Sequence, residues 1–389
     1  MNSRERILNA INHLPVDHVP LLMRFWSLGG KEDQIPFNWR DEVERVEQTT
    51  ARGLDDTILL QPPLGYVEEY VPEVIPGVTS HTELLPPEEG SDYPLLKKIY
   101  ETPQGPLQTV IRVTEDWPHG EEVRLFDDYN LSRLKEPLIK GVADIQRLKY
   151  LLGDPTEVQM SAFRQRARYL RRQADRLGVA LEGGWVALGD SVMWLCGMER
   201  ILYGQMDEPE FIDQVLEAVH QWEMRRIECL IQEGIDILVN MAWYETTDFW
   251  TPKNWRVMIK PRLRRVIQKA HEHGIKFRYI ITKSWQSYRQ DFLELGVDCL
   301  TGVDPVQDKL DLAEVKRAIG GRICLMGGVN SAVMLTQWSD DQICQAVDQA
   351  IEVLSPGGGF ILYPVDAIFN TQSWKKVEVL IEQWKRANR

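Results

Sequence analysis

Carboxylate, amide and aromatic side chains follow a series of short apolar runs in this chain. If these runs are parallel strands, the side chains that follow them lie at one edge of the sheet. Carboxyl groups act as general acids or bases when burial moves their pKa towards neutrality, and Trp and Tyr rings suit a modest-sized aromatic or amphipathic ligand. The candidate catalytic residues are Glu245, Asp366, Tyr279 and Lys283. The candidate substrate-binding residues are Arg24, Trp26, Gln61, Glu182, Trp185, Asn240, Trp243, Tyr244, Thr282, Asp304, Asn330 and Tyr363.

The candidate carboxylates also have purely structural interpretations. Asp304, in a Val-Asp-Pro sequence, would cap the following turn, and Glu182, before a double glycine, would order the turn after its strand. Glu182, Glu245 and Asp366 together would supply oxygen ligands for a metal, but no sequence spacing supports such a site. We therefore predict no metal ligands.

The clearest evidence for the elements that carry these residues lies in 292–330. Two apolar runs, Cys299–Val303 and Ile323–Met326, flank an amphipathic segment, Leu310–Ile319, that is stopped by Gly320 and Gly321. A short apolar strand, a helix and a glycine stop before the next strand are typical of a βαβ unit in a buried parallel sheet.

Similar units recur along the chain, although no internal sequence repeat is present. We predict strands at Leu21–Phe25, Thr57–Leu60, Val179–Leu181, Ile237–Val239, Phe277–Ile281, Cys299–Val303, Ile323–Met326 and Phe360–Leu362. The main predicted helices are Ser3–His13, Asp41–Arg52, Val142–Leu152, Thr156–Leu177, Val192–Tyr203, Pro209–Glu233, Pro252–His273, Asp340–Leu354 and Trp374–Lys385. No glycine-rich phosphate loop follows an early strand, which favours an α/β fold of the (β/α)8 TIM-barrel class over an open doubly wound sheet.

We interpret residues 1–389 as one such domain, with residues 62–137 forming a β-rich insertion after strand two, near the barrel mouth. Proline and acidic residues are dense in the insertion, and helical periodicity is lost. Leu95–Glu101 and Leu107–Glu115 flank Thr102–Gly105, a pattern that predicts a β-hairpin.

Composition limits the classes of partner. The net charge of −13 argues against nucleic acid and anionic membranes, and a hydrophobic content of 43% supplies a sizeable core. Five scattered cysteines with no CxxC pair favour reduced thiols and a cytoplasmic location. The N-terminus is a charged amphipathic helix without a signal peptide, and no apolar run is long enough for a membrane span. A homo-oligomer is compatible with this composition.

Several local sequences, in this order, resemble the uroporphyrinogen decarboxylase superfamily of TIM barrels, which includes corrinoid-dependent methyltransferases. The opening RERILNAINHLPVDHVPLL is similar to that family's N-terminal helix and first strand, and EPLIKGVADIQRLKYLL to the segment before its long helices. The stretches 234–261, 295–328 and 358–362 are similar to later strand units. The resemblance spans nearly the whole chain outside 62–137.

The functional motifs of that superfamily are not repeated here. Its methyltransferases hold zinc through a His-x-Cys-Gly motif and a later cysteine, whereas the matching stretches here, Arg278–Lys283 and Tyr363–Asp366, contain neither histidine nor cysteine. Its porphyrin decarboxylase uses arginines after strand one and an aspartate after strand two. Here those positions offer Arg24 and no aspartate, so an anionic porphyrin would find few cations.

The resemblance thus implies an enzyme closer to the methyltransferases than to the decarboxylase. The expected reaction is demethylation of a small O- or N-methyl compound, with general-acid activation instead of zinc and transfer of the methyl group to a corrinoid on a partner protein. The chain has no Asp-x-His-x-x-Gly corrinoid-binding motif of its own. The alternatives are a decarboxylase or lyase for a smaller carboxylate substrate, with Arg24 or Lys283 as anchor, and a non-catalytic ligand-binding barrel.

Overall fold

The computed structural model describes residues 1–26, 39–63, 77–369 and 372–388 of the 389-residue chain. Part of the predicted insertion, 64–76, lies outside the described residues. The strands are β1 (Phe25–Trp26), β2 (Thr57–Leu60), β3 (Thr79–Leu85), β4 (Leu95–Thr102), β5 (Gly105–Arg112), β6 (Leu134–Glu136), β7 (Ala180–Val186), β8 (Ile237–Met241), β9 (Lys276–Ile280), β10 (Cys299–Val303), β11 (Cys324–Asn330), β12 (Phe360–Val365) and β13 (Ile368–Phe369).

The helices follow the strands in alternation over most of the chain. They are α1 (Ser3–Ile11), α2 (Glu42–Ala51), α3 (Asp128–Leu131), α4 (Val142–Leu151), α5 (Glu157–Leu177), α6 (Leu188–Cys196), α7 (Met198–Asp207), α8 (Pro209–Gln232), α9 (Pro252–Asn254), α10 (Lys260–Glu272), α11 (Arg289–Leu295), α12 (Leu312–Ile319), α13 (Met334–Gln337), α14 (Asp340–Leu354) and α15 (Trp374–Ala387). A π-helical turn, Trp255–Ile259, joins α9 to α10, and a 3-10 turn, Trp285–Tyr288, precedes α11.

Seven parallel strands form a curled sheet in the order β12, β11, β10, β9, β8, β7, β2, which is the α/β architecture predicted from the sequence. The segment before β1 links the two edges of this sheet. Leu21 pairs in parallel with Leu362 of β12, and Leu22 pairs with Asp55 just before β2. The chain near its first predicted strand therefore lies between the first and last strands of the sheet.

Side chains alternate between the two faces of this sheet and form two apolar cores. Cys299, Cys324 and Ile361 pack on the inner face together with Ile7 and Ile11 of α1. The larger core lies between the outer face and the surrounding helices. Neighbouring residues on one strand therefore face different surroundings, and this decides which predicted site residues can meet.

A second sheet of four antiparallel strands, in the order β3, β4, β5, β6, follows β2. The antiparallel pairing of β4 with β5, from Leu95 opposite Arg112 to Thr102 opposite Gly105, confirms the predicted hairpin. The turn between β4 and β5 lies close to α4, since Arg147 donates from Nε to the backbone oxygen of Gln104 at 3.0 Å.

One predicted helix is wrong. The expected helix Val192–Tyr203 is two helices, α6 and α7, that meet at Gly197. Gly197 has a φ of +79°, a left-handed conformation that a continuous right-handed helix cannot contain. Among the residues described, no helix is both long and apolar enough to cross a bilayer.

Candidate active site

We call the connected group Arg24, Asp128, Trp185, Trp243, Tyr244, Tyr363 and Asp366 the mouth site. Arg24 precedes β1, Trp185 lies near the carboxyl end of β7, and Trp243 follows β8. The guanidinium carbon of Arg24 lies 5.0 Å from the ring centre of Trp185, whose ring meets that of Trp243 edge to face at 5.8 Å. Three candidates predicted from separate strands are therefore in contact. Their surface combines a cation with two large apolar rings.

Asp190, near the start of α6, fixes the loop that carries Trp243 and Tyr244. Its carboxylate accepts the backbone N–H of Trp243 at 3.0 Å and that of Tyr244 at 2.7 Å. Asp190 is completely buried, and burial together with the nearby charge of Glu245 raises the pKa of Asp190 well above its usual range. The two backbone bonds make Asp190 the support of the aromatic loop.

Asp128 connects the region between β2 and α4 to the same loop. Its carboxylate accepts a hydrogen bond from the Tyr244 hydroxyl at 2.6 Å and one from Trp194 Nε1 at 3.3 Å. Asp128 is exposed at the start of α3. Residues far apart in sequence thus meet at the edge where the parallel strands end.

Asp366 follows β12 directly and is partly buried. Burial, and then the negative charges of Asp128 and Asp304, raises the pKa of Asp366 to about 6. The hydroxyl of Tyr363, an inner-face residue, donates to the backbone oxygen of Asp366 at 2.5 Å. A carboxyl group with a pKa near neutrality can be protonated or ionised at working pH, so Asp366 is suited to proton transfer or to binding a cation.

The side chains of Asp304 and Asn330 form hydrogen bonds with each other and with nearby backbone N–H groups. Asp304 Oδ1 accepts the N–H groups of Val306 and Gln307 at 2.8 and 3.1 Å, and its Oδ2 accepts Asn330 Nδ2 at 2.7 Å. Asn330 Oδ1 in turn accepts the N–H of Val333 at 2.7 Å. The turn-capping interpretation of Asp304 is confirmed, and both side chains act as scaffold below the mouth site.

Glu245 and Tyr279 form a pair behind the sheet instead of at its mouth. The Tyr279 hydroxyl donates to the Glu245 carboxylate, which also accepts the N–H of Gly189 at 2.9 Å. Tyr279 alternates with inner-face residues of β9, and its ring packs 5.1 Å from that of Phe292 on α11. Both side chains are at most 1% exposed, and burial raises the pKa of Glu245 to about 7. This placement corrects the prediction that they contact the substrate.

Glu182 also differs from its predicted position. β7 continues through Gly183 and Gly184 to Val186, so Glu182 lies within the strand and not after it. Its Oε1 accepts a hydrogen bond from Arg278 Nη1 at 2.6 Å, deep on the inner face. Glu182 therefore supports the inner face through this ion pair, and it does not order the turn after its strand as its structural interpretation expected; its contact with a substrate stays a prediction.

The remaining candidates lie around the mouth site with varied exposure. Asn240 is buried within β8 and donates from Nδ2 to the backbone oxygen of Met241 at 3.1 Å, so it too lies inside the strand. Lys283 is about half exposed and forms a salt bridge with Asp248 at 2.6 Å, and its catalytic role stays a prediction. Thr282 donates to the backbone oxygen of Trp243 at 3.4 Å, and Gln61 is buried directly after β2. The predicted contribution of the Trp26 side chain lies outside the described residues.

Sequence reasoning missed Asp190 and Asp128. Asp190 lies nine residues after the predicted strand Val179–Leu181, and only the observed end of β7 at Val186 brings it to the strand end, where parallel sheets place functional groups. Asp128 carried no usable signal, since it lies inside the predicted insertion, among many other acidic residues.

The side chains at the strand ends do not fit a zinc–thiolate site. Within the described ranges, no three histidine, cysteine, aspartate or glutamate side chains are grouped so that they could hold a metal ion. The ends of β9 and β12 present Thr282, Tyr363 and Asp366, which offer oxygen ligands. Zinc bound to a substrate thiolate favours sulfur and imidazole ligands, so we derive no step through zinc.

Comparison with solved structures supports the fold. A methyltransferase from Methanosarcina mazei superposes with a TM-score of 0.58 at 16% sequence identity, over 99% of each chain. D-psicose 3-epimerase from Clostridium cellulolyticum H10 gives a TM-score of 0.35 at 12% identity, over 62% of this chain and 89% of that one. The likeness to the methyltransferase, at 16% identity, concerns the fold alone, and the epimerase, with its lower TM-score, adds no argument.

Sequence comparison identifies the family. No curated protein matches this chain. The family model described as uroporphyrinogen decarboxylase (URO-D), however, matches residues 113–387, which include six of the seven strands of the curled sheet and most of the mouth site. That match covers well over half of the sequence and agrees with the strand order and the position of the site. The chain therefore belongs to the uroporphyrinogen decarboxylase family.

Proposed function

We propose that this protein is a methyl-transfer enzyme that removes a methyl group from a small O- or N-methyl compound and passes it to a corrinoid held by a partner protein. The observation that carries the proposal is the placement of Asp366, with a pKa of about 6, close to the Tyr363 phenol on which the Arg24 charge also acts, in a site where the described residues group no three metal-ligating side chains. The methyltransferase of similar fold from Methanosarcina mazei adds support.

The proposed fold is a (β/α)8 barrel in which the segment around Leu21 and Leu22 is the eighth strand position. The pairing of these residues with Leu362 and Asp55 supports this closure. We further propose that 62–137 is an insertion near the barrel mouth, since the hydrogen bond from Tyr244 to Asp128 joins it to the mouth site.

In the proposed reaction a cobalt(I) nucleophile takes the methyl carbon, and the C–O or C–N bond breaks with its electron pair remaining on oxygen or nitrogen. An oxygen leaving group gains a proton, which the protonated Asp366 carboxyl would supply before solvent restores it. A quaternary nitrogen leaves as a neutral amine and needs no proton, so ionised Asp366 would instead balance the charge of the substrate. Trp185 and Trp243 would pack against the methyl-bearing group.

The other predicted catalytic residues receive indirect roles. Glu245 and Tyr279 join the start of α6 to β9 through their hydrogen bonds, so we propose that they position Asp190 and the loop it holds. Lys283, paired with Asp248, would act at the edge of the site.

The test is to mix the protein with cobalt(I) cobalamin and a panel of methyl ethers and methylamines, and to follow methylcobalamin formation by absorbance. We expect formation with at least one donor and a reduction of about tenfold or more in Asp366→Asn. Asp341→Asn, which changes an exposed carboxylate on α14, is the matched control and should behave as the wild type. Absence of methylcobalamin with every donor would contradict the proposal.

A second candidate, decarboxylation of a small carboxylate, is favoured by one observation. Arg24 lies at the mouth site and forms no ion pair with any residue that the structure describes, so it is free to anchor an anion. Carbon dioxide release without added corrinoid would support this reaction over methyl transfer.

A further inference from the structure

Two charged groups in the mouth site, Arg24 and Asp366, form no ion pair with any residue that the structure describes, although Glu42 lies near enough to Arg24 for the Arg24 charge to lower the pKa of Glu42. The Arg24 guanidinium contacts the Trp185 ring, and the Asp366 carboxyl accepts no hydrogen bond from any part of the chain that the structure describes. By contrast, the neighbouring rim cation Lys283 is paired with Asp248, and Arg278 below is paired with Glu182. A cation and an acid without ion-pair partners among the described residues, at the same opening, are groups available to a ligand.

The backbone holds these two groups on the same side of the opening. The N–H of Ile368 donates to the backbone oxygen of Arg24 at 2.7 Å, and Phe25 pairs in parallel with Ile368, two residues after Asp366. The Tyr363 phenol lies near both groups, and both the Arg24 cation and the Asp366 anion act on the pKa of Tyr363. The two groups nevertheless do not form a salt bridge with each other.

We propose that the methyl donor is a small zwitterion, whose carboxylate binds Arg24 and whose methylated ammonium group lies against the aromatic pair and is balanced by ionised Asp366. This inference rests on the proposed methyl transfer and names its substrate class. Arginine binds carboxylates through two parallel hydrogen bonds, and an alkylated ammonium is attracted to the face of tryptophan.

The charges of the surrounding residues are complementary to the two charged groups of such a ligand. Asp128 and Asp304 lie near enough to Asp366 to act on it, which makes that end of the site negative and favours a cation there. The other end, at the Arg24 guanidinium, carries a positive charge, and the carboxylate of Glu42 lies near enough for that charge to act on it. A simple cation would be repelled by Arg24, and a simple anion by the carboxylates, whereas a zwitterion satisfies both ends.

Methyl transfer from a quaternary ammonium group balances in atoms and electrons without a proton from the protein. The cobalt(I) of the corrinoid donates its electron pair to the methyl carbon, and the C–N bond breaks with its pair on nitrogen. The products are methyl-cobalt(III) and a neutral tertiary amine that keeps its carboxylate on Arg24. Loss of the positive charge weakens the attraction to Asp366, which favours release of the product.

The experiment is equilibrium binding, by titration calorimetry on the full chain at pH 8, of three probes of nearly equal shape. N,N,N-trimethylglycine carries both charges, its carbon isostere 3,3-dimethylbutanoate lacks the positive charge, and choline lacks the carboxylate. We expect the zwitterion to bind about tenfold or more tightly than either singly charged probe. Equal binding of trimethylglycine and 3,3-dimethylbutanoate would overturn the inference.

Variants of Arg24 and Asp366 test which residue binds the carboxylate of the ligand and which binds its ammonium group. Arg24→Gln should reduce trimethylglycine binding to the level of choline, with recovery in Arg24→Lys, and Asp366→Asn should reduce it to the level of 3,3-dimethylbutanoate. Asp341→Asn is the matched control, and thermal unfolding shows whether each variant is folded. Unchanged binding in folded Arg24→Gln would also count against the inference.

The two proposals fail in different ways. If neutral ethers give methylcobalamin but the probes show no preference for the zwitterion, the substrate class is wrong and methyl transfer stands. If trimethylglycine binds with the expected preference but no donor gives methylcobalamin, the binding inference stands and methyl transfer is wrong.

Discussion

The guanidinium of Arg278 donates from Nη1 to Oε1 of Glu182 at 2.6 Å on the inner face of the curled sheet. The two residues lie on β9 and β7, so the ion pair passes across β8, which separates those strands. Arg278 also donates from Nε to Thr301 Oγ1 on β10 at 3.1 Å. This polar network lies below the mouth site and ties together strands that carry its residues.

Removing one partner of this pair should destabilise the protein strongly. Glu182→Leu would leave a buried guanidinium without its counter-charge, and such losses cost about 3–5 kcal/mol in the free energy of unfolding. The double variant Glu182→Leu with Arg278→Met removes both charges and should recover much of that loss. Urea unfolding followed by circular dichroism measures both. A single variant as stable as the double would contradict this role.

Gly302→Ala should be strongly destabilising. Gly302 has a φ of +119° at a register shift in β10, and an added Cβ would lie 1.8 Å from the backbone oxygen of Ile281. The backbone must move to admit the methyl group, so we expect the free energy of unfolding to fall by more than about 3 kcal/mol. Gly321→Ala is the matched control, because a Cβ there meets no atom within 4 Å. Thermal unfolding of both variants gives the comparison.

Asp190→Ala should loosen the aromatic loop. The substitution leaves the N–H groups of Trp243 and Tyr244 without their acceptor. Each unsatisfied buried donor lowers the free energy of unfolding by about 1–3 kcal/mol. We expect faster hydrogen exchange at these two amides by NMR or mass spectrometry. Tyr244→Phe is the comparison, since it removes the bond to Asp128 and leaves Asp190 in place. Equal exchange in wild type and Asp190→Ala would show that the loop holds its conformation without the carboxylate.

Asp366→Asn should stabilise the folded protein at high pH and much less at low pH. The folded-state pKa of Asp366, about 6, is above its ordinary value, because burial and the charges of Asp128 and Asp304 disfavour ionisation. The folded state therefore holds this proton more tightly than the unfolded state. The stability it contributes is present below the unfolded pKa and is lost as pH rises through about 6.

The neutral asparagine avoids that loss. After allowance for partial solvent exposure, we expect the free energy of unfolding of Asp366→Asn to exceed that of the wild type by about 1–2 kcal/mol at pH 8 and by less at pH 5. Urea unfolding at the two pH values measures it. Tyr363 also lies near Asp366, and because burial raises the pKa of Tyr363 above its ordinary value, its phenol stays neutral between pH 5 and pH 8. Asp341→Asn, on the exposed surface of α14, should show no pH-dependent difference from wild type.

The sequence alone determined the order of strands and helices. Helix α14 has the bounds predicted for it, Asp340–Leu354, because a serine cap, acidic first turn and apolar periodicity all agree locally. The β4–β5 hairpin was also predicted, since its turn and its two strands are adjacent in sequence. Local signals suffice for elements whose stabilising contacts lie within a few residues.

Tertiary structure decided which candidate side chains share a site. The sequence pattern ended β7 at Leu181, whereas the strand continues to Val186, and it placed the end of β9 at Ile281 instead of Ile280. The pattern also does not fix which face each residue takes, and a shift of one position exchanges the inner and outer faces. Hence Tyr279 faces the helices and Glu182 pairs with Arg278, although both were expected at the mouth. The bond between Asp128 and Tyr244 joins residues 116 positions apart. Such a contact depends on how the sheet curls and on where the second sheet packs, and neither is encoded in any local pattern.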